Sequence, residues 1–530
     1  MEQTFNGLLF LYKPETGCSE QKNIIISAMK TIPQTVRDLP PVVRFLGIII
    51  LLQLVLWTLV PSLLYTVLPL DSLEAAAWGS GFSLGNAKHP PLTGWIAGLT
   101  ASATGHADWP FYLLSQLCVT GGMACIYFMA REFFGREESA LAALAPQFIF
   151  YYNVTTPEFN VNLPMLLLWP AAALCFVRAY KHDRIRDWIL LGVCSGLCFL
   201  CKYYSVLLFL SFGVFLLISK ERRRLILGAG PWIAAASACL VVLPHMMWAL
   251  TGGLAMMEEY VESRMTFSPD ASWFHRHIAG VLVILGNAAL VVLIPFGTFL
   301  LARAGFRPAQ LERPRLPADP SCREAALFSV VMMGVPLLVL TGIGLSGNAV
   351  RAMWLVPLFF PLGILMTALY PAEWTPKQTW WFRLEIAAFF TACLIGVAVA
   401  GTVHSTNRKN FPAKRFAADV SRLYEEKTGR KLEIMIGDAW ASGLMRHYAP
   451  GHPQGCIWDN RGEVERLGPM LRRCGGLAVS DDPKDIEFAV EHFGTPDSPR
   501  MSLEIEYSAL LGQKRTKTIN LAFLDSSAAK

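Results

Sequence analysis

Long apolar runs divided by short polar loops dominate the first 400 positions. Runs near membrane length lie at roughly 44–69, 110–130, 161–179, 203–219, 226–250, 278–302, 325–345, 352–370 and 385–403. Two shorter ones, 138–152 and 187–200, fit tilted or re-entrant segments. About 20 apolar residues suffice to cross a hydrocarbon core of about 30 Å. The pattern predicts a mainly α, polytopic membrane protein of about eleven transmembrane helices over 44–403. Beyond 403 the pattern changes. Apolar pieces such as LEIMIGDAW, GGLAVS and TINLAFL alternate with the helix-like FAADVSRLYEEKTG, which predicts a small α/β domain over 404–530. No internal repeat or low-complexity segment interrupts this plan.

Charge then orients the chain. Only 16% of the 530 residues are charged, against 53% hydrophobic, where a soluble protein carries about 25% charged. With the N-terminal segment 1–43 cytoplasmic, the inner loops hold 22 Lys/Arg and the outer loops before 404 hold five, which satisfies the positive-inside rule. An odd number of spans then puts the C-terminal domain outside the cytoplasm. Residues 1–40 lack the short apolar run and small-residue cleavage site of a signal peptide, so the first span is expected to be retained. No basic stripe stands outside this pattern, which excludes a nucleic-acid partner. Eight of twelve cysteines lie in or beside spans as small apolar side chains. Cys456 and Cys474 share the outer domain, where a disulfide is one option. No Cys/His spacing resembles a zinc site.

The five outer cations are Lys88, Lys202, Arg264, Arg276 and Arg351. Orientation does not require them there, so chemistry is the alternative. The loop 70–109 opens LDSLEAAAWGSGFSLGNAKHPPLTGW. Asp71 and Glu74 are three apart and share a helix face. Acids in a first helical turn also suit the helix dipole, a structural reading strongest for Glu74. Asp71 at the membrane mouth is the candidate base for a hydroxyl or amine acceptor. Lys88, followed by His89 and two prolines that fix the backbone, is a point charge suited to a phosphate oxygen. Headgroup contact is the competing reading for Lys88, and structural hydrogen bonding for His89. Lys202 with Tyr203 divides two apolar runs, as a functional cation or a snorkelling one. The outer loop 251–277 adds Arg264 and Arg276 as further phosphate candidates. Arg351 is the last. Glu158, Asn160 and Asn162 in VTTPEFNVN read either as a capped helix start or as polar groups facing the same cavity.

Asp71-x-x-Glu74, KHPPL at 88–92, CKYYSVLL at 201–208 and PHMMW at 244–248 together resemble the bacterial GT-C superfamily. These are multi-span glycosyltransferases related to protein O-mannosyltransferases and to the lipid A aminoarabinose and core galacturonic acid transferases. The resemblance covers about 1–400, and the soluble tail is similar to those of the group. It implies a monomeric inner-membrane enzyme that moves a sugar from a polyprenyl-phosphate-linked donor to a lipid or glycolipid acceptor, a lipopolysaccharide component. The active site would face the periplasm and the reaction would invert the anomeric carbon. It implies Asp71 as the loop carboxylate and Lys88 as the donor-phosphate lysine. Two departures stand out. No Asp-x-Asp or adjacent Asp-Glu pair occurs at 71–74, so no cofactor is expected and a divalent metal has no clear ligand motif. Asn160 and Asn162 occupy the place where many relatives carry an acid, with Glu158 as the substitute. The alternatives are a flippase or transporter of lipid-linked sugars, or transfer to a protein or polysaccharide. A transporter would place charges along the membrane midplane and show repeat symmetry, whereas here the charges keep to the faces.

Overall fold

The computed structural model describes residues 38–524 apart from 80, 269, 306–316, 372, 404–407 and 459–460. The N-terminal segment 1–37 and most of the predicted inner loop 303–323 lie outside the described residues. Seven described helices are long and apolar enough to cross a membrane: Pro41–Leu64, Trp109–Ala130, Asn162–His182, Ala229–Glu262, His275–Arg303, Pro320–Leu345 and Pro376–Val403. Large apolar side chains on them, such as Leu63, Leu293 and Leu338, are exposed, as side chains facing lipid would be.

Four of the expected runs are not helices of full membrane length, two of them the runs already read as short. The run 138–152 is a helix only over Arg136–Leu144, then two short 3₁₀ turns at Ala145–Phe148 and Phe150–Tyr152. Pro146 cannot supply the N–H that a continuing α-helix needs. The run 352–370 is likewise split into a turn at Ala352–Leu355 and a helix at Leu362–Leu369, with Pro357 and Pro361 between. The helices Ile185–Cys201 and Val206–Ile218 are present but fall short of full membrane length. Apolar composition predicted burial correctly here. Prolines decided the backbone.

Two elements outside the spans position the site. The first span ends at Leu64, and Pro69 precedes a short helix, Leu70–Gly79, that carries Asp71 and Glu74. It crosses the helix Leu92–Ala103 at bare backbone. A Cβ on Gly98 would lie 2.5 Å from the Gly79 carbonyl carbon, and one on Gly79 would lie 1.9 Å from the Gly94 carbonyl oxygen. Only glycines allow that approach, and it fixes the acidic helix against the KHPPL segment.

The second element is the C-terminal sheet, five strands in the order β2–β1–β3–β5–β4. β1 (Ile434–Gly437) pairs in parallel with β2 (Gln454–Ile457) and β3 (Gly476–Ser480). β5 (Arg515–Leu524) runs antiparallel to β3 and to β4 (Arg500–Tyr507). β1 and β3 are buried along their whole length, as strands covered on both faces must be, whereas β4 alternates. Cys456 and Cys474 are free thiols, not a disulfide.

This domain grips the start of the acidic helix. The Thr66 N–H donates to the Lys409 carbonyl at 2.9 Å, and the Leu68 N–H donates to the Tyr448 hydroxyl at 2.8 Å. The helix Ala439–Tyr448 packs directly on Leu70–Gly79.

Candidate active site

Asp71 sits in the first turn of its helix, where its backbone N–H has no intrahelical partner. The Glu158 carboxylate supplies one, accepting from the Asp71 N–H at 3.2 Å. Asn160 reaches the Asp71 side chain itself. Its Oδ1 accepts the Asn162 N–H at 2.9 Å, which turns its amide N–H toward Asp71 Oδ2 at 3.3 Å. Asn162 in turn accepts from Lys202 Nζ at 2.9 Å. Two asparagines spaced by one residue thus link the carboxylate Asp71 to the cation Lys202.

One turn along the same helix, Glu74 forms an ion pair with Lys88 at 2.6 Å. The lysine is placed by its own loop. Asn86 Oδ1 accepts the N–H groups of Lys88 and His89 at 3.0 and 2.9 Å, an Asx turn that leads into Pro90 and Pro91. Trp78, four residues beyond Glu74, puts its ring under the Lys88 ammonium at 5.4 Å and meets the His89 ring edge-on at 5.6 Å.

Burial raises the Glu74 carboxyl above its usual range despite the neighbouring Lys88. Burial alone would lower Lys88, but Glu74 more than offsets that and its pKa is raised. His89 is held well below the usual imidazole range, by enclosure first and then by the charges of Lys202 and Lys88. It is therefore a neutral imidazole between two cations. Glu158 is raised by burial and by the Asp71 charge beside it.

Lys202 is the most telling residue. It is only 8% exposed, its Nζ meets Asn162, and no carboxylate pairs with it among the described residues. A buried ammonium without a counter-ion is costly. An anionic ligand arriving beside it would remove that cost.

The other expected residues are placed differently. Tyr203 does not face this group. His245 Nδ1 lies 2.7 Å from the Leu84 carbonyl, which can only accept, so Nε2 is left to receive the Tyr203 hydroxyl at 2.9 Å. That is a latch between the 80s loop and the Ala229–Trp248 helix. Arg276 donates to the carbonyls of Ala271 and Ser268 at 2.9 and 3.4 Å and so ties its own loop. Arg351 is exposed at the turn before Ala352–Leu355. Arg264 is exposed over the Tyr260 ring at 5.3 Å, with its charge felt at Glu74. Among the described residues no three His, Cys, Asp or Glu are disposed to hold a metal ion.

One residue went unanticipated. Lys409, from the strand of chain that enters the C-terminal domain, lies over the Tyr65 ring at 4.7 Å and within electrostatic reach of Glu158. Only its position just past the last apolar run could have drawn attention to it.

Comparison with known proteins fits this arrangement. The family model for dolichyl-phosphate-mannose-protein mannosyltransferases matches residues 88–248, the stretch from Lys88 to Trp248. The lipopolysaccharide core galacturonosyltransferase RgtA of Rhizobium johnstonii is 24% identical over 417 residues, covering 73% of this chain and 77% of that protein. The undecaprenyl phosphate-alpha-4-amino-4-deoxy-L-arabinose arabinosyl transferase 2 of Proteus mirabilis is 27% identical over 225 residues, 39% of each chain. The crystal structure of ArnT from Cupriavidus metallidurans bound to undecaprenyl phosphate superposes with a TM-score of 0.58 at 12% identity, over 91% of this chain and 98% of that one. With its apolar helices, its matched segment over 88–248 and this fold, the chain is a multi-pass membrane glycosyltransferase similar to the enzymes of the GT-C superfamily.

Proposed function

We propose that the enzyme takes a sugar from a polyprenyl-phosphate-linked donor and passes it to a glycolipid acceptor, a lipopolysaccharide or lipid A component, on the outer face of the inner membrane. The observation that carries this reading is buried Lys202, which no carboxylate pairs with among the described residues, close to His89 and joined through two asparagines to Asp71. A lipid phosphate can reach such a site laterally from the bilayer. The names of the similar proteins, which include a core galacturonosyltransferase and an undecaprenyl-phosphate-sugar transferase, support donor and acceptor class.

In the proposed reaction Asp71 takes the proton of the acceptor hydroxyl as its oxygen bonds to the anomeric carbon. The bond from that carbon to the phosphate oxygen breaks with its electron pair on phosphate. Lys88 and Lys202 stabilise the charge that grows there, and His89, kept neutral, can donate one hydrogen bond without adding a third positive charge. Asn160 aims the Asp71 carboxylate, and Glu158 caps the helix that presents it. Single displacement inverts the anomeric carbon.

The test is transfer from a polyprenyl-phosphate sugar to extracted lipopolysaccharide by the purified protein, with Asp71→Asn and Lys88→Ala compared at equal folding. Loss of turnover in both supports the roles. Normal turnover in both removes them, and donor moved across vesicles without transfer would make the protein a transporter.

A further inference from the structure

Beside Trp78 the protein holds a cavity of about 380 Å³, lined by Trp78, Ser83, Asn86, Trp248, Met256 and Arg466 among others. Its walls come from both halves of the chain. The outer loop gives the Trp78 side and the Ala229–Glu262 segment gives Trp248 and Met256. The C-terminal helix Arg461–Cys474 closes it with Glu463 and Arg466. Trp248 is set by a bare backbone contact: a Cβ on Gly85 would lie 2.3 Å from its ring.

Asp71, Glu74 and Trp78 follow at intervals of three and four residues, so they share one helix face. Seven residues at 1.5 Å each put Trp78 about 10 Å along that face from Asp71. The cavity therefore lies beyond the reacting position along that helix, with Glu463 and Arg466 of the soluble domain in its wall. Two indole faces suit the C–H edge of a sugar ring, and Ser83 and Asn86 offer polar partners at the rim. The far wall carries one acid, Glu463, and one base, Arg466. Glu463 accepts the Ile457 N–H at 2.9 Å and lies within the field of half-buried Arg446. Arg466 is exposed and makes no ion pair among the described residues.

We infer that this cavity is an acceptor subsite: it holds the saccharide residue next to the one that receives the sugar, and selects one bearing an anionic group, carboxylate or phosphate, for Arg466. The inference rests on the glycosyltransferase reading above. It makes the soluble domain part of acceptor selection.

The test uses the full chain, a polyprenyl-phosphate sugar and four acceptors: intact core oligosaccharide, the same after carboxyl reduction, the same after dephosphorylation, and a minimal acceptor lacking the second residue. A charge-assisted hydrogen bond is worth about 10- to 100-fold. Arg466→Ala should raise KM for the intact acceptor by at least about 10-fold on that scale, with kcat and donor KM unchanged. Wild type should lose the same factor on whichever neutralised acceptor lacks the recognised anion, and Arg466→Ala should be indifferent to that change. Met256→Trp, which fills the cavity without removing a hydrogen bond, should impair the intact acceptor and spare the minimal one. Wild-type KM in both variants on the intact acceptor overturns the subsite. An equal rise for Arg466→Ala on intact and both neutralised acceptors overturns the anion preference. If wild type transfers to none of the four, the glycosyltransfer reading itself fails.

Discussion

The Glu74–Lys88 pair allows the phosphate role to be separated from a structural one. The two side chains are 2.6 Å apart, with 29% of the lysine and 11% of the glutamate exposed. Breaking a fully buried pair by removing one partner costs about 3–5 kcal/mol. Partial exposure on the lysine side lowers this, and about 2 kcal/mol is expected for Glu74→Gln or Lys88→Met alone. The double variant leaves no orphaned charge, so thermal or denaturant unfolding should give a coupling of about the same size.

Activity should divide differently. Lys88→Met removes a cation from the leaving phosphate and should cost about 10²–10³ in kcat/KM. Glu74→Gln keeps the cation and should cost about tenfold, a smaller share of the same electrostatic term. Its signature is in the pH profile. In wild type Glu74 holds the Lys88 pKa above its ordinary value, so the ammonium stays charged across neutral pH. Without Glu74, burial is opposed only by the smaller effects of Tyr260 and Asp71, and the Lys88 pKa should fall. The variant should therefore lose activity as pH rises through a range where wild type is flat. The assay is donor-to-lipopolysaccharide transfer between pH 6 and 9.5, at matched folded fraction. A flat profile for Glu74→Gln, or near-wild-type turnover in Lys88→Met, would refute the reasoning.

Three further outcomes are expected. Lys202→Met, which replaces an uncompensated buried charge with an apolar chain of similar length, should leave thermal stability equal or higher while kcat/KM falls by about 10² or more; a clear loss of stability would show that the lysine is structural. Gly98→Val places carbon 2.5 Å from the Gly79 backbone and should destabilise by about 3 kcal/mol or misplace the acidic helix, read by melting temperature and by transfer rate together. Docking of the C-terminal domain should weaken in acid. Burial and the neighbouring His452 and His447 hold the His106 pKa down to about 4. The unfolded chain thus binds a proton from about pH 6.5 downward, while the folded one resists until about 4, so stability present above 6.5 falls as pH drops through this window. Asp108 has the same sign but a lower window: its carboxyl, lowered by His447, Lys414 and Tyr448, adds to the loss only below about pH 4. Hydrogen exchange over Ala439–Tyr448 at pH 7.5 and 5 would report it, and equal protection at both would count against it.

Local pattern carried the sequence reading as far as one helical turn or one loop. Asp71 and Glu74 were legible as a pair on one face because spacing of three residues is enough to say so. Their different fates were not, because the partners come from elsewhere: Asn160 and Glu158 for Asp71, Lys88 for Glu74. The charge bias singled out five cations but treated them as equals. Folding separates Lys88 and Lys202 from Arg276, whose guanidinium is consumed by carbonyls of its own loop, and from exposed Arg351. The run 138–152, read as short or re-entrant, is broken at a place hydropathy could not give. Hydropathy sees apolar residues, whereas Pro146 acts on the backbone.

The two asparagines show why the departure from the acid expected of relatives matters physically. An acid at 162 would neutralise Lys202 and leave it a satisfied internal pair. Asn162 instead accepts one hydrogen bond and returns no charge. In the proposed reaction the cost of burying the ammonium is recovered when the lipid phosphate binds, so stability forgone in the free enzyme would become affinity for that anion. Asn160 does the complementary thing for Asp71: it orients the carboxylate through one long bond of 3.3 Å without supplying a positive charge that would weaken it as a base. Neutral connectors between an unpaired cation and a carboxylate keep both available for substrate. Asn162→Asp should therefore tie Lys202 into an internal pair, weakening donor binding by about tenfold or more while raising thermal stability. Donor KM and melting temperature moving in opposite senses is the result expected, and unchanged donor KM would show that Lys202 does not meet the phosphate.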